Sequence, residues 1–305
     1  MTNKIICPKC KSKEVIKWGK RKTENRGKVQ RFKCKSCSET FVNDAFVGMR
    51  NNEKKITLCL DLFYRGLSTR EIQSHLQAFY PKNSSWVTIY KWIKKYSLKI
   101  ANYTDRLKLK TGSYIEVDEM EYHRRKSHKA KLGIDKNWFI DGIDVKTRYM
   151  VNSAYVKNRS KEQLKKVLSG IKDKSANVKI VQTDGLTAYD KIVKRNWGYD
   201  NKIGKYKIEH RVKTQSKGEG FNIWIERLHN TIRQRTQNFR GFHGSVESAY
   251  ALMKGLEIYY NFIRKHEALK NKTPSELATD LEFKSPNRWL ELINMATTNQ
   301  QISQI

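Results

Sequence analysis

Nowhere does the 305-residue sequence hold a run of 18 apolar residues, the length that a membrane-crossing helix needs. No secretory leader and no lipidation motif is present, so no membrane partner is expected and a cytoplasmic location is. Internal repeats are absent. Acid is scarce: 30 Asp and Glu stand against 62 Lys and Arg, which leaves a net charge of +32. An imbalance of that size, spread through a chain rich in Tyr and Trp, is the footprint of a polyanion binder, and nucleic acid fits better than a membrane surface. Cysteine is sparse as well, and four of the five fall into two tight pairs.

Those pairs are Cys7-Pro-Lys-Cys10 and Cys34-Lys-Ser-Cys37, with 23 residues between them. Each CxxC turn points two sulfurs at one centre, and four thiolates suit a single tetrahedral Zn²⁺. The intervening Val15–Trp18 and Gln30–Lys33 stretches flank Gly27 as a short hairpin, which completes a zinc-ribbon pattern. Disulfides would need an oxidising compartment that nothing here supports, and a redox CxxC would need a βαβ setting. Cys59 stands apart in an apolar helix as a buried small hydrophobe.

From Glu53 the period turns helical. Ile56, Cys59, Leu60 and Phe63 make one stripe, which Arg65-Gly66-Leu67 breaks. Ser68 with Glu71 forms a capping box for a second helix. A third, capped by Ser84 or Ser85, runs from Trp86 to about Lys99 with Ile89, Ile93 and Tyr96 inward. Its cations Lys91, Lys94 and Lys95 are expected outside, where they would contact DNA in the manner of a helix-turn-helix reader. A helical bundle that merely joins two domains is the plainer alternative.

Beyond Gly112 the pattern changes to strands. Tyr114–Asp118 and Val178–Asp184 are apolar runs that each finish on an acid, and 137–145 with 149–155 form a hairpin. A helix from Lys161 to about Ile171 lies between them, and Tyr206–Val212 reads as a further strand. The order βββαβα(β)α predicts an α/β layer fold. A polar loop over 213–220 precedes one amphipathic helix over 221–242, whose stripe is Ile225, Leu228 and Ile232. Glu226 is followed at +3, +4 and +7 by His229, Asn230 and Arg233 on a neighbouring face. If the strands ending in Asp118 and Asp184 are adjacent and parallel, both acids reach one rim and the helix lays Glu226 beside them. Three hard carboxylates suit a pair of Mg²⁺ or Mn²⁺ ions, which serve phosphoryl transfer. Asp144, also in a strand, is the rival first ligand.

The chain here resembles the DDE transposases with an RNase H-like core, closest to the IS6/IS240-type insertion-sequence transposases. The resemblance rests on Val117-Asp-Glu-Met120, Thr183-Asp-Gly-Leu-Thr-Ala-Tyr189 and Asn222–Arg233, with Tyr260–Leu269 and Lys272–Glu276 downstream, and covers about residues 54–278. It implies a mixed sheet flanked by helices and an acid triad of Asp118, Asp184 and Glu226 as metal ligands. Arg233 would face the DNA. It also implies double-stranded DNA as partner (element ends and target), a homodimer or larger homo-oligomer, and a nucleoid-associated place in a prokaryotic cell. Glu226 follows Asp184 by 42 residues, longer than the compact interval of the IS6 group, so the 213–220 loop reads as an insertion. The expected organisation is a zinc ribbon over 1–50, a helix-turn-helix domain over 51–108, a catalytic domain over 109–278 and a tail over 279–305. Two other readings remain open at this point: a DNA-binding regulator with a non-catalytic core, and a two-metal nuclease that only hydrolyses.

Overall fold

The computed structural model describes residues 5–23, 26–46, 49–79, 84–122, 124–125, 134–213, 222–237, 242–243 and 245–302. Residues 214–221 and 238–241 of the expected polar loop and following helix lie outside these residues; within them the helix spans Ile223–Thr236, shorter than expected, and Phe242 is in a short strand that pairs with Arg124.

Strands β1 (Val15–Thr23), β2 (Gly27–Cys34) and β3 (Thr40–Phe41) form an antiparallel N-terminal sheet, the hairpin anticipated around Gly27. Gly27 takes φ +69°, a left-handed turn conformation that glycine adopts without a Cβ penalty. Three helices follow: α1 (Glu53–Tyr64), α2 (Thr69–Phe79) and α3 (Trp86–Thr104). The capping box is present, for Ser68 N donates to Glu71 Oε2 at 2.7 Å and Glu71 N to Ser68 Oγ at 3.3 Å. Ser85 is the residue that caps α3.

A five-stranded sheet comes next, built from β4 (Tyr114–Glu121), β5 (Trp138–Asp144), β6 (Met150–Val156), β7 (Ile180–Thr183) and β8 (Glu209–Val212), in the spatial order β8-β7-β4-β5-β6. β4, β5 and β6 are an antiparallel meander. β7 then adds parallel to β4 on the other edge, and β8 parallel to β7, each reached through a helix: α4 (Lys161–Lys174) and α5 (Ala188–Trp197). Three antiparallel strands extended by two parallel ones is the RNase H-like order, and the fold is a mixed α/β sheet flanked by helices. Strand β8 starts at Glu209 rather than Tyr206, because Tyr206 pairs instead with Tyr199 in a separate small hairpin.

The faces of the sheet divide by residue parity. Gly142 lets Ile171 of α4 approach so closely that a Cβ there would lie 2.5 Å from its Cδ1, so α4 seals one face. The other is covered by α6 (Ile223–Thr236) and α7 (Val246–Ile258). One π-turn, Tyr259–Ile263, continues α7 and aims the Asn261 amide at the backbone of Met150, whose N–H and C=O it pairs at 2.8 and 2.9 Å.

The helical segment is packed into this core. α3 lies against α7, and at Gly255 a Cβ would meet Tyr64 Oη at 1.8 Å and Ser97 Oγ at 2.6 Å. Lys254, buried beside it, donates to Asp105 at the end of α3 and to Glu257. Burial opposes its charge, but Glu257 and Asp105 outweigh that and hold the ammonium above the usual lysine range. The segment read as a tail carries α8 (Arg288–Ile302), which packs on α1 and α3. Its Trp289 stacks on Tyr64 at 5.4 Å and donates to Asp61 at 3.2 Å.

Candidate active site

The first three residues of β4 pair with β7 in a register that the sequence spacing matches, and Asp118 lies in mid-strand, since β4 runs on to Glu121 instead of ending on that acid. Tyr114 faces Ile180, Ile115 faces Val181 and Glu116 faces Gln182, a constant offset of 66 residues, which is also the separation of Asp118 and Asp184. The two acids therefore lie level on one rim. Oxygens of Asp118, Glu119 and Asp184 lie within 4.8 Å of one another. Glu226 is not in that group among the described residues; the third member is Glu119, the neighbour of Asp118.

Parity separates the roles of Glu119 and Glu226. Asp118 faces the α6 side of β4, with Glu116 two residues before it, whereas Glu119 turns to the α5 side. There Glu119 accepts from Tyr189 Oη at 2.7 Å and from Arg159 at 3.4 Å, with its side chain only 1% exposed. One contact falls on each of its two oxygens, and about half of its roughly four lone-pair sites are taken. On the α6 side His229 sets Nδ1 3.8 Å from Asp118 Oδ2 and Nε2 2.8 Å from Asp141 Oδ1. Glu226 is half-buried, three residues before His229 on α6, so the two share a side of the helix.

The electrostatics follow from crowding. Burial pushes the Asp118 carboxyl up to about 7; His229 and the Glu119 N–H oppose this, while Glu119 and Asp184 add to it. Burial also raises Glu119. Acids that take up a proton because they sit together out of water are the donor set that a hard divalent cation relieves, so the residues fit such an ion. Burial raises Asp141. Burial works against a charge on His229, but Asp141 and, behind it, Asp118 raise the imidazole above its usual range. Asp141 is fully buried and its Oδ2 lacks a hydrogen-bond partner, so His229 is its main compensation.

Two residues that carry this geometry were not singled out from the sequence. Glu116 is buried, and its Oε2 accepts from Trp224 N at 2.9 Å and Ile225 N at 3.0 Å, the first free amides of α6. Beside it Gln182 donates to Asn222 at 2.7 Å and accepts from Tyr114. Asp141 is the other. His229, expected on the face of α6 that carries Glu226, is 3% exposed and turned inward to Asp141. Asp144 lies at the far end of β5, where Gly112 N, Thr147 N and Thr147 Oγ1 donate to it, so it fixes the β5–β6 turn and is remote from the acids.

No family model matches the chain, and no curated protein does. Solved structures do show similarity. The simian T-cell lymphotropic virus intasome in complex with PP2A regulatory subunit B56 gamma matches at 10% identity over 58% of this chain, with TM-score 0.39. This chain spans 57% of that one. The HTLV-2 integrase catalytic core domain in complex with magnesium matches at 14% identity over 55% of this chain and 97% of that one, with TM-score 0.33. The Drosophila P element transposase strand transfer complex matches at 9% identity over 88% of this chain and 82% of that one, with TM-score 0.36. The fold assignment rests on the strand order and register given above.

The other predicted residues are placed as follows. Cys7 and Cys37 bring their sulfurs to 3.5 Å, as do Cys10 and Cys34, and all four lie within 4.8 Å of one another. A disulfide would need about 2.05 Å, whereas a tetrahedron with Zn–S ~2.3 Å has edges of about 3.8 Å. Burial raises the Cys34 thiol, but turn amides of Cys37 and Ser36 and the Cys10 sulfur outweigh it and bring it down to about 6. Lys91 and Lys95 of α3 are exposed. Lys94 departs from expectation: its Nζ donates to Ser248 of α7 at 2.6 Å, because α3 packs against α7 along that flank. Arg233 is exposed and touches Asn230 at 3.4 Å. No described helix is long and apolar enough to cross a membrane.

The Glu116 tie is testable by stability. Glu116→Gln keeps the shape but removes the charge that holds two helix amides, and is expected to cost about 1–2 kcal/mol in urea or thermal unfolding. An unchanged unfolding midpoint would show that α6 is held by its apolar stripe alone.

Proposed function

We propose that the chain is a transposase that binds the ends of its element and joins them to target DNA by metal-dependent strand cleavage and transfer. The observation that supports this most is the shared 66-residue offset of the β4–β7 register and the Asp118–Asp184 pair. Asp118 and Asp184 would hold Mg²⁺ or Mn²⁺, with Glu226 completing the set from α6. Two such ions activate an attacking oxygen and stabilise a leaving one at a single phosphorus. The chain's own groups prepare that chemistry. Asp141 and His229 fix the Asp118 side of the rim, Tyr189 and Arg159 hold Glu119 aside, and the exposed Arg233 offers a cation to a DNA phosphate. The subfamily of the IS6/IS240 type remains part of this proposal, as do assembly into a homo-oligomer and the domain limits at 50, 108 and 278.

The N-terminal region would supply recognition. The four cysteines would hold one Zn²⁺, and the basic hairpin β1–β2 with the exposed Lys91 and Lys95 of α3 would meet the duplex. Lys94, bound to Ser248, contributes to packing instead.

Chemistry is tested by incubating the chain with labelled end DNA, a target plasmid and Mg²⁺. Asp118→Asn, Asp184→Asn and Glu226→Gln are each expected to abolish cleavage and joining while leaving DNA binding intact, with no additive loss in double variants. Asp144→Asn is expected to lose stability but, where folded, to keep activity. An active Asp118→Asn variant beside a dead Asp144→Asn variant would refute the site.

Zinc is tested by elemental analysis of the reduced chain, with one Zn²⁺ expected per chain. Chelation is expected to unfold the N-terminal sheet and leave the five-stranded sheet folded, because metal binding supplies the folding energy of so small a module. A metal-free chain with that sheet intact would contradict it.

A further inference from the structure

Between α5 and β8 the chain makes a small hairpin, Tyr199–Asp200 paired with Lys205–Tyr206, that the chemistry above does not use. All residues from 201 to 207 are exposed, and Ile203 at the tip is 70% exposed. A two-stranded ribbon with no packed face is marginal by itself, yet this one is locally tied. Gly204 N donates to Asp200 O at 2.9 Å, and Lys207 N to Gly198 O at 3.0 Å. The Asp200 carboxylate accepts from Lys202 N at 2.9 Å and Ile203 N at 3.4 Å, which turns the one acid of the tip inward. Tyr199 and Tyr206 meet edge to face at 5.2 Å, each 49% exposed. Lys202, Lys205 and Lys207 are exposed on the hairpin, and Lys194, ion-paired with Asp190 at 2.7 Å, lies 5.4 Å from the Tyr206 ring.

We infer that this hairpin is a DNA-contacting element, its lysines on phosphates and its Ile203 and tyrosines against the wall of a duplex groove. A two-stranded ribbon fits the width of a groove, and apolar tips flanked by cations are a recognised means of engaging one. Position supports the same occupant. β8 begins two residues after Lys207 and ends opposite Thr183, the neighbour of Asp184. Its four residues span about 13 Å, with Arg211 exposed along the edge between. A duplex entering the acids could follow that edge to the hairpin, so the element would hold DNA flanking the point of reaction. The choice of DNA rests on the proposed function together with the local charge. A second copy of this chain is the competing occupant, and the exposed Lys202, Lys205 and Lys207 disfavour it because two copies of such a surface repel.

The full-length chain is titrated, without divalent metal, onto a fluorescent random-sequence duplex of about 30 base pairs at several salt concentrations. Omitting the metal separates this test from strand transfer, so a failure of the catalytic reading and a failure of the hairpin contact are read apart. Lys202→Ala/Lys205→Ala is expected to weaken binding on the order of tenfold and to flatten the slope of log K against log salt by about two. Ile203→Ser is expected to weaken binding without changing that slope. Lys161→Ala/Lys165→Ala on α4 removes the same charge elsewhere and is expected to have a clearly smaller effect. Equal losses for the two double variants, or no loss for the hairpin pair, would overturn the inference. So would a change in molar mass by light scattering for the hairpin pair with DNA affinity intact, since that outcome assigns the surface to self-association.

Discussion

The Glu116 carboxylate, receiving two backbone amides from the start of α6, is the contact on which the site depends. It joins the central strand to a helix that begins over 100 residues later, and it does so at the positive end of that helix, where an anion is favoured. Gln182 adds a second tie through Asn222 from the neighbouring strand. Once the helix start is fixed, the period of α6 determines the rest. Ile225, Leu228 and Ile232 go to the core, His229 reaches Asp141 and Asp118, and Glu226 lies one turn closer to the anchor. Burial raises the Glu116 carboxyl, and the two hydrogen bonds from Ile225 and Trp224 offset part of that.

The helical segment is joined to the five-stranded sheet through α7. Helix α3, whose outer cations are the proposed DNA contacts, also forms an interior element between α1, α7 and α8. Gly255 permits a close approach to Tyr64 and Ser97, and the buried Lys254 links Asp105 with Glu257. Breaking that link would leave an unpaired buried charge, a cost of several kcal/mol. DNA held by α3 would thereby be held in fixed relation to the β4–β7 rim, a useful property for an enzyme that must present one phosphate to its metal site.

Much of the fold was legible because local rules agree with it. The CxxC turns, the Ser68–Glu71 capping box, the β5–β6 hairpin and the amphipathic α6 stripe are all written within short windows of sequence. The shared offset of 66 is a longer-range signal that the acids themselves carry. What escaped reading depends on contacts between distant segments. Glu116 and Asp141 look like polar interruptions of strands until α6 is laid across them. His229 reads only as a helical neighbour of Glu226 until Asp141 meets it, and Lys94 reads as one of three outward cations until Ser248 meets it. The 279–305 segment reads as a tail because the faces of α1 and α3 that receive Trp289 and Leu292 cannot be known to be uncovered from sequence alone.

The central claim is that the third carboxylate of the site comes from α6 and not from the neighbour of Asp118. Mn²⁺ binding to the full-length chain, followed by electron paramagnetic resonance, tests it directly. The account predicts that Glu226→Gln weakens Mn²⁺ binding as Asp118→Asn does, while Glu119→Gln, whose carboxylate is already held by Tyr189 and Arg159, keeps it. Binding lost in Glu119→Gln and retained in Glu226→Gln would contradict the account and assign the metal to the Asp118–Glu119–Asp184 cluster alone.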